Sequence, residues 1–255
     1  MADHDKDPDD WVPSPRHLLR LACIHHVTSE WTPGTVLEVG AGTGHITREF
    51  VDRGFDVTAT DLGDTSRELL RRRFGSTARV VDSYEDVAEA SMEHLFAFEV
   101  LEHVADDHGV LAQWTTRLRP GGKLLISVPA HQSKFGDADR AVGHVRRYER
   151  DELLALVEGA GYEDVELANY GFPLGNVLRH AQTLGRRAAG KQADDAADET
   201  ERVERTMDSG VKTAEPLNKA RRILRPSVFA PFAAIQKVAY GRDWSDGYVL
   251  TARRS

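Results

Sequence analysis

Three ligand-type side chains crowd one short stretch, Glu99-Val100-Leu101-Glu102-His103. If the chain turns helically after Glu99, positions 99, 102 and 103 share one face. Two carboxylates and an imidazole then suit Mg²⁺ or Mn²⁺, with water filling the remaining positions. A second imidazole is offered by His144 in Gly143-His144-Val145-Arg146-Arg147-Tyr148, and Asp139 lies just upstream of it. The expected metal set is therefore Glu99, Glu102, His103 and His144. Without a metal, His103 or His144 is the candidate catalytic base, because an imidazole with a pKa near ~6.5 accepts a proton at neutral pH. Asp139, Arg146, Arg147 and Tyr148 are the candidate acceptor-binding groups. Arg146, Arg147 and Tyr148 fit equally well a bracing role against Asp151 and Glu152.

A second constellation begins at residue 36. Val36-Leu37-Glu38-Val39-Gly40-Ala41-Gly42-Thr43-Gly44 is an apolar run entering alternate glycines. Glycine tolerates backbone angles closed to other residues and lets a ligand lie against bare main chain. A dinucleotide fingerprint, G-x-G-x-x-G, would need glycine where His45 stands. Asp61 closes the next apolar run, where an acid can accept both hydroxyl hydrogen bonds of a ribose. Asp82-Ser83 closes the third, where a carboxylate can accept from an adenine amino group.

These residues need elements to hold them. Helices are expected over Pro15–Val27, His45–Arg53, Thr65–Arg73, Asp107–Leu118 and Asp151–Ala160, from apolar periodicity and glycine stops. Strands are expected over Val36–Val39, Phe55–Thr60, Ala78–Val81, His94–Phe98, Lys123–Val128, Tyr162–Asn169 and Tyr248–Arg253, with Pro120-Gly121-Gly122 as a turn. The alternation implies an α/β, Rossmann-like, doubly wound and mostly parallel seven-stranded sheet with helices on both faces. Ligands of such sheets bind at the carboxyl ends of the strands. Glu38, Asp61, Asp82 and Glu99 would gather there.

Residues 1–14 read as an acidic tail and 15–255 as one domain. Within it, 130–150 is an acceptor-side loop, and 184–246 a C-terminal helical insertion or lid, with 190–208 a flexible surface stretch. Phe229–Tyr240 is apolar and should pack. The 255 residues carry a net charge of −8, which argues against general nucleic-acid binding. No apolar run approaches the ~18–20 residues that span a bilayer. Cys23 is the single cysteine, so no internal disulfide forms and a cytoplasmic location is the simple inference. A monomer or a homodimer is expected.

The block from Val36 to Val128 resembles a class I S-adenosylmethionine-dependent methyltransferase of the ubiquinone-biosynthesis type. The matching pieces are Leu37–Gly44, Thr60-Asp61, Val81-Asp82, Glu99–Val104 and Leu118–Leu124. The resemblance implies that Glu38 with Gly40, Ala41, Gly42 and Gly44 holds the methionine part. It places Asp61 and Leu62 at the ribose, Asp82 and Ser83 at the adenine, and Glu99 and Val100 beside the sulfonium. Glu-x-x-Glu-His is similar to a metal site of ubiquinone-pathway O-methyltransferases and of enzymes that methylate the terminal 2′-hydroxyl of small RNAs. The segment from Asp139 to Tyr148 resembles, more loosely, bacterial methyltransferases of glycan, lipid or natural-product pathways. A hydroxyl acceptor on a small molecule, sugar or lipid-linked compound is expected, since its proton must leave as the bond forms and a base or a divalent ion serves that step, whereas an amine or carboxylate acceptor needs neither. The alternatives are an RNA-end 2′-O-methyltransferase and a non-catalytic S-adenosylmethionine-binding regulator.

Overall fold

A computed structural model describes residues 13–178 and 226–255. Most of the acidic tail and residues 184–225 of the expected insertion lie outside the described residues. The elements are α1 (Pro15–Val27), β1 (Thr35–Val39), α2 (His45–Asp52), β2 (Asp56–Thr60), α3 (Asp64–Phe74), β3 (Arg79–Val80) and β4 (Met92–Phe98). They continue as α4 (Asp107–Thr115), β5 (Leu118–Pro129), α5 (Asp137–Ala141), α6 (Arg150–Gly159), β6 (Tyr162–Tyr170), α7 (Pro226–Gln236) and β7 (Gly247–Arg254). No helix among the described residues is long and apolar enough to cross a membrane.

The strands form one seven-stranded sheet in the order β3-β2-β1-β4-β5-β7-β6. The first five are parallel; β7 runs antiparallel between β5 and β6. Side chains alternate across each strand, so both faces must be covered. Leu95 and Ala97 of β4 pack with Leu111 and Trp114 of α4 and Leu153 and Val157 of α6. Phe96 and Phe98 point the other way, to Ile24 of α1, Phe50 of α2 and Leu70 of α3. The sheet is thus doubly wound.

Two boundaries depart furthest from sequence expectation. Pro120-Gly121-Gly122 lies within β5: Met92 pairs with Leu118 and His94 with Lys123, so residues 119–122 bulge opposite Glu93. Helix α4 stops at Thr115, whose hydroxyl donates back to the Leu111 carbonyl and also meets the Tyr162 hydroxyl. The apolar stretch near residue 236 packs on α1: the Gln236 amide donates to the Leu19 carbonyl at 2.8 Å, and Tyr240 lies against His26.

Because β1 to β5 are parallel, their carboxyl ends share one edge, and a cavity of about 640 Å³ opens there. Helix α1 covers it, started by Pro15 and by the Ser14 hydroxyl, which accepts from the His17 N–H.

Candidate functional site

The β1–α2 turn forms one wall. Gly40 has φ +72°, and a Cβ there would overlap a Val100 methyl; Gly44 has φ +77°, and a Cβ would press on Phe74 and Leu70. Only glycine meets both demands. The Gly40 and Ala41 N–H groups donate to the Thr60 carbonyl, tying the turn to the end of β2. Asp61 accepts from Gly42 N–H at 2.8 Å on Oδ2 and from Gly63 N–H at 3.0 Å on Oδ1. A carboxylate oxygen has two acceptor positions, so the anchored Asp61 keeps capacity for ligand hydroxyls.

Glu38 is buried beside the turn and lines the cavity, and its Oε2 has no hydrogen-bond partner. Burial pushes its carboxyl up to about 7, against the pull of the Thr47 hydroxyl. Such an orphaned acid fits a ligand ammonium group. Leu62 is exposed at the rim, and Asp82 and Ser83 lie on the wall. Asp82 faces solvent and pairs with Arg71 at 2.5 Å, while Ser83 caps the short turn Tyr84–Asp86.

Glu99 departs from the expected ligand set. It sits at φ +57° and turns toward α1, meeting Arg16 at 3.0 Å, Arg20 at 3.4 Å and the donating Tyr170 hydroxyl at 2.9 Å. Burial alone would raise its carboxyl, but Arg16 and Arg20 outweigh that and hold it at about 2. A carboxylate committed to two guanidinium groups is not positioned for a metal shared with Glu102.

Glu102, His103 and His144 do converge, each offering a ligand atom within 4.8 Å of the others. A short turn over Leu101–His103 brings Glu102 and His103 round, and the two imidazoles meet edge to face at 4.7 Å. Glu102 is fully buried with neither carboxylate oxygen hydrogen-bonded. Burial, then the Glu99 charge, raises it well above the carboxylate range; burial and His144 push His103 down to about 4. One orphaned carboxylate and two imidazoles fit a divalent cation, which would reverse the burial penalty on Glu102.

The expected acceptor-binding groups are placed elsewhere. Arg147 is buried, donating to Asp139 at 2.9 Å and Asp246 at 3.2 Å. Tyr148 is buried and donates to Asp107 at 2.8 Å. Arg146 reaches Asp107 at 2.7 Å and the Ala105 carbonyl. Asp139 accepts from Gly136 N–H and meets His144 Nδ1 at 3.0 Å. None of these four lines the cavity, whereas His103 and His144 do. The brace acts on Asp107, Asp139 and Asp246, not on Asp151 and Glu152 as spacing alone suggested.

Sequence reading missed Arg16, His17 and Arg20, which line the cavity from α1, and also Tyr170 and Asp246. The polar positions 16, 17 and 20 fall on one side of the helix, away from Leu18 and Leu19, a pattern visible in the sequence. Nothing local marks Asp246.

A methyltransferase domain family model matches residues 16–167. The ubiquinone biosynthesis O-methyltransferase of Idiomarina loihiensis is 28% identical over 184 residues, covering 63% of this chain and 75% of that protein. Its counterpart in Paramagnetospirillum magneticum is 33% identical over 169 residues, covering 59% of this chain and 68% of that protein. Among solved structures, phosphoethanolamine N-methyltransferase 2 of Haemonchus contortus, in complex with S-adenosyl-L-methionine, superposes with a TM-score of 0.57 at 15% identity. That likeness is one of fold; it covers 92% of this chain and about half, 51%, of that structure.

Proposed function

The chain belongs to the methyltransferase domain family and is a class I S-adenosylmethionine-dependent methyltransferase, and from that premise we propose that it methylates a hydroxyl group of a small-molecule, sugar or lipid-linked acceptor. The observation that carries this reading is the cluster of Glu102, His103 and His144, whose two imidazoles line the same cavity as the glycine turn and Asp61. A neutral amine can attack the methyl group before it loses a proton, whereas a hydroxyl must lose its proton as the new bond forms. The names of the O-methyltransferase relatives support the same choice.

S-adenosylmethionine supplies a methyl group already electrophilic at carbon. The residues described here have to hold and aim it, which is catalysis by proximity. In this reading Gly40–Gly44 offers bare main chain to the methionine part, Glu38 accepts from its ammonium, and Asp61 accepts from the ribose hydroxyls. Arg16, His17 and Arg20 are the nearby cationic and imidazole groups of α1 suited to its carboxylate. Asp82 and Ser83 border the adenine end, and Val100 packs beside the turn. His144 or His103 takes the acceptor proton. Glu102, His103 and His144 would hold Mg²⁺ or Mn²⁺, whose contribution is to orient the hydroxyl and lower its pKa. We place the protein in the cytoplasm, where its single buried thiol stays reduced.

The test is methyl transfer to paired hydroxyl and amine analogues, read as release of S-adenosylhomocysteine, with and without chelator and added Mg²⁺. Turnover of the hydroxyl member alone is expected. Turnover of the amine alone overturns the reading.

A further inference from the structure

His144 sits at one end of a buried line of alternating charge. Its Nδ1 meets Asp139 Oδ1 at 3.0 Å, and the same oxygen accepts from Arg147 Nε at 2.9 Å and pairs with Nη2 at 2.8 Å. Arg147 Nη1 donates to Asp246 Oδ1 at 3.2 Å. Asp246 Oδ2 in turn faces Arg16 Nε at 3.7 Å, and Arg16 Nη2 reaches Glu99 at 3.0 Å. Asp139, Arg147 and Asp246 are 3%, 4% and 2% exposed, so these charges are held almost out of water.

Burying charges costs several kcal/mol per ion, and apolar replacement of such pairs is often neutral or stabilising. The line is therefore poor evidence for stability and better evidence for placement. A carboxylate only accepts hydrogen bonds, so His144 Nδ1 must donate to Asp139. In the neutral imidazole that leaves Nε2 as the acceptor nitrogen, 3.7 Å from Glu102 Oε1, with His144 lining the cavity. Arg147 Nε and Nη2, both donors on Oδ1 of Asp139, keep that carboxylate an acceptor. Arg147 aims Asp139 only if its own charge is balanced from the other side, and Asp246 provides that balance. Asp246 reaches the line from the start of β7, far along the chain from His144.

We propose that Asp246 is a positioning residue that, through Arg147 and Asp139, fixes His144 in the Nδ1-protonated tautomer with Nε2 presented to the cavity. This deepens the proposed function, in which His144 handles the acceptor proton or binds a metal. Removing the Asp246 charge leaves Arg147 under-compensated and draws Asp139 away from the imidazole.

The test does not need the acceptor. Two-bond ¹H–¹⁵N spectra of histidine-labelled protein, at one alkaline pH and assigned with His144→Ala, report which ring nitrogen of His144 carries the proton. Wild type should show one Nδ1-protonated form. Asp139→Asn and Asp246→Asn should each give a mixture or the opposite tautomer, and Asp246→Glu should restore the wild-type pattern. If Asp246→Asn does not fold, Arg147→Lys replaces it, since a lysine cannot bridge both carboxylates as the guanidinium does. An unchanged His144 signal in Asp246→Asn or Arg147→Lys overturns the proposal, as does wild-type protein protonated at Nε2. Failure of hydroxyl methylation with the tautomer response intact would refute the proposed function alone.

Discussion

On the cofactor side, main chain does the work: Gly40, Ala41, Gly42 and Gly63 donate N–H groups to Thr60 and Asp61, all within residues 40–63. On the opposite side, side chains meet side chains from remote segments. Arg147 reaches Asp139 and Asp246, and Tyr148 reaches Asp107. The first wall is an open cradle whose acids stay at its surface or keep spare acceptor capacity. The second is a buried lattice in which most charges are already spent on each other, leaving His103 and His144 at the cavity with Glu102 buried behind them. The contrast teaches that binding and chemistry are specified by different parts of the chain at different ranges.

Substitutions should separate the two walls. The largest effect is expected for His144→Ala, with turnover falling about 10²- to 10⁴-fold, the usual worth of a general base. Its affinity for S-adenosylhomocysteine by calorimetry should stay near wild type; loss of that affinity would merge the walls into one. Asp61→Ala should do the reverse, weakening S-adenosylhomocysteine by about 10- to 100-fold, as expected for losing hydrogen bonds to a charged group. Gly40→Ala should combine cofactor loss with a destabilisation of about 1–3 kcal/mol from strained backbone, read in urea unfolding.

A pH effect sharpens the comparison. The Glu38 carboxyl is raised by burial to about 7 in the folded protein, above its ordinary value of 4.5. Its favourable contribution is therefore complete below pH 4.5 and is lost as pH rises through about 7. Glu38→Gln should flatten the stability curve of the cofactor-free protein between those limits, measured as unfolding midpoint against pH. An identical slope in the variant would remove Glu38 from the account. The smallest effect is expected for Tyr148→Phe, about 1 kcal/mol for a lost hydroxyl hydrogen bond, with cofactor affinity unchanged. A changed acceptor KM at unchanged stability would return Tyr148 to the acceptor site.

Much of this was legible in the residues themselves. The apolar runs, the glycine stops and the strand-end acids are local patterns, and helix α1 coincides with the expected Pro15–Val27. The order β3-β2-β1-β4-β5-β7-β6, by contrast, depends on pairings between strands far apart in sequence. So did the bulge in β5: Pro120-Gly121-Gly122 reads as a turn until Leu118 is seen paired with Met92.

The chain by itself determined the cradle, because a left-handed backbone at Gly40 and Gly44 and an acid at Asp61 are short-range requirements written in residue type and spacing. It also supplied Glu102, His103 and His144 as candidates. Only tertiary structure decided that Glu99 belongs to Arg16 and Arg20, and that Arg147 and Tyr148 brace instead of facing the cavity. The physical reason is that a buried charge must find its partner wherever folding puts one. For Arg147 that includes Asp246, ninety-nine positions along the chain and brought near only by β7 inserting between β5 and β6.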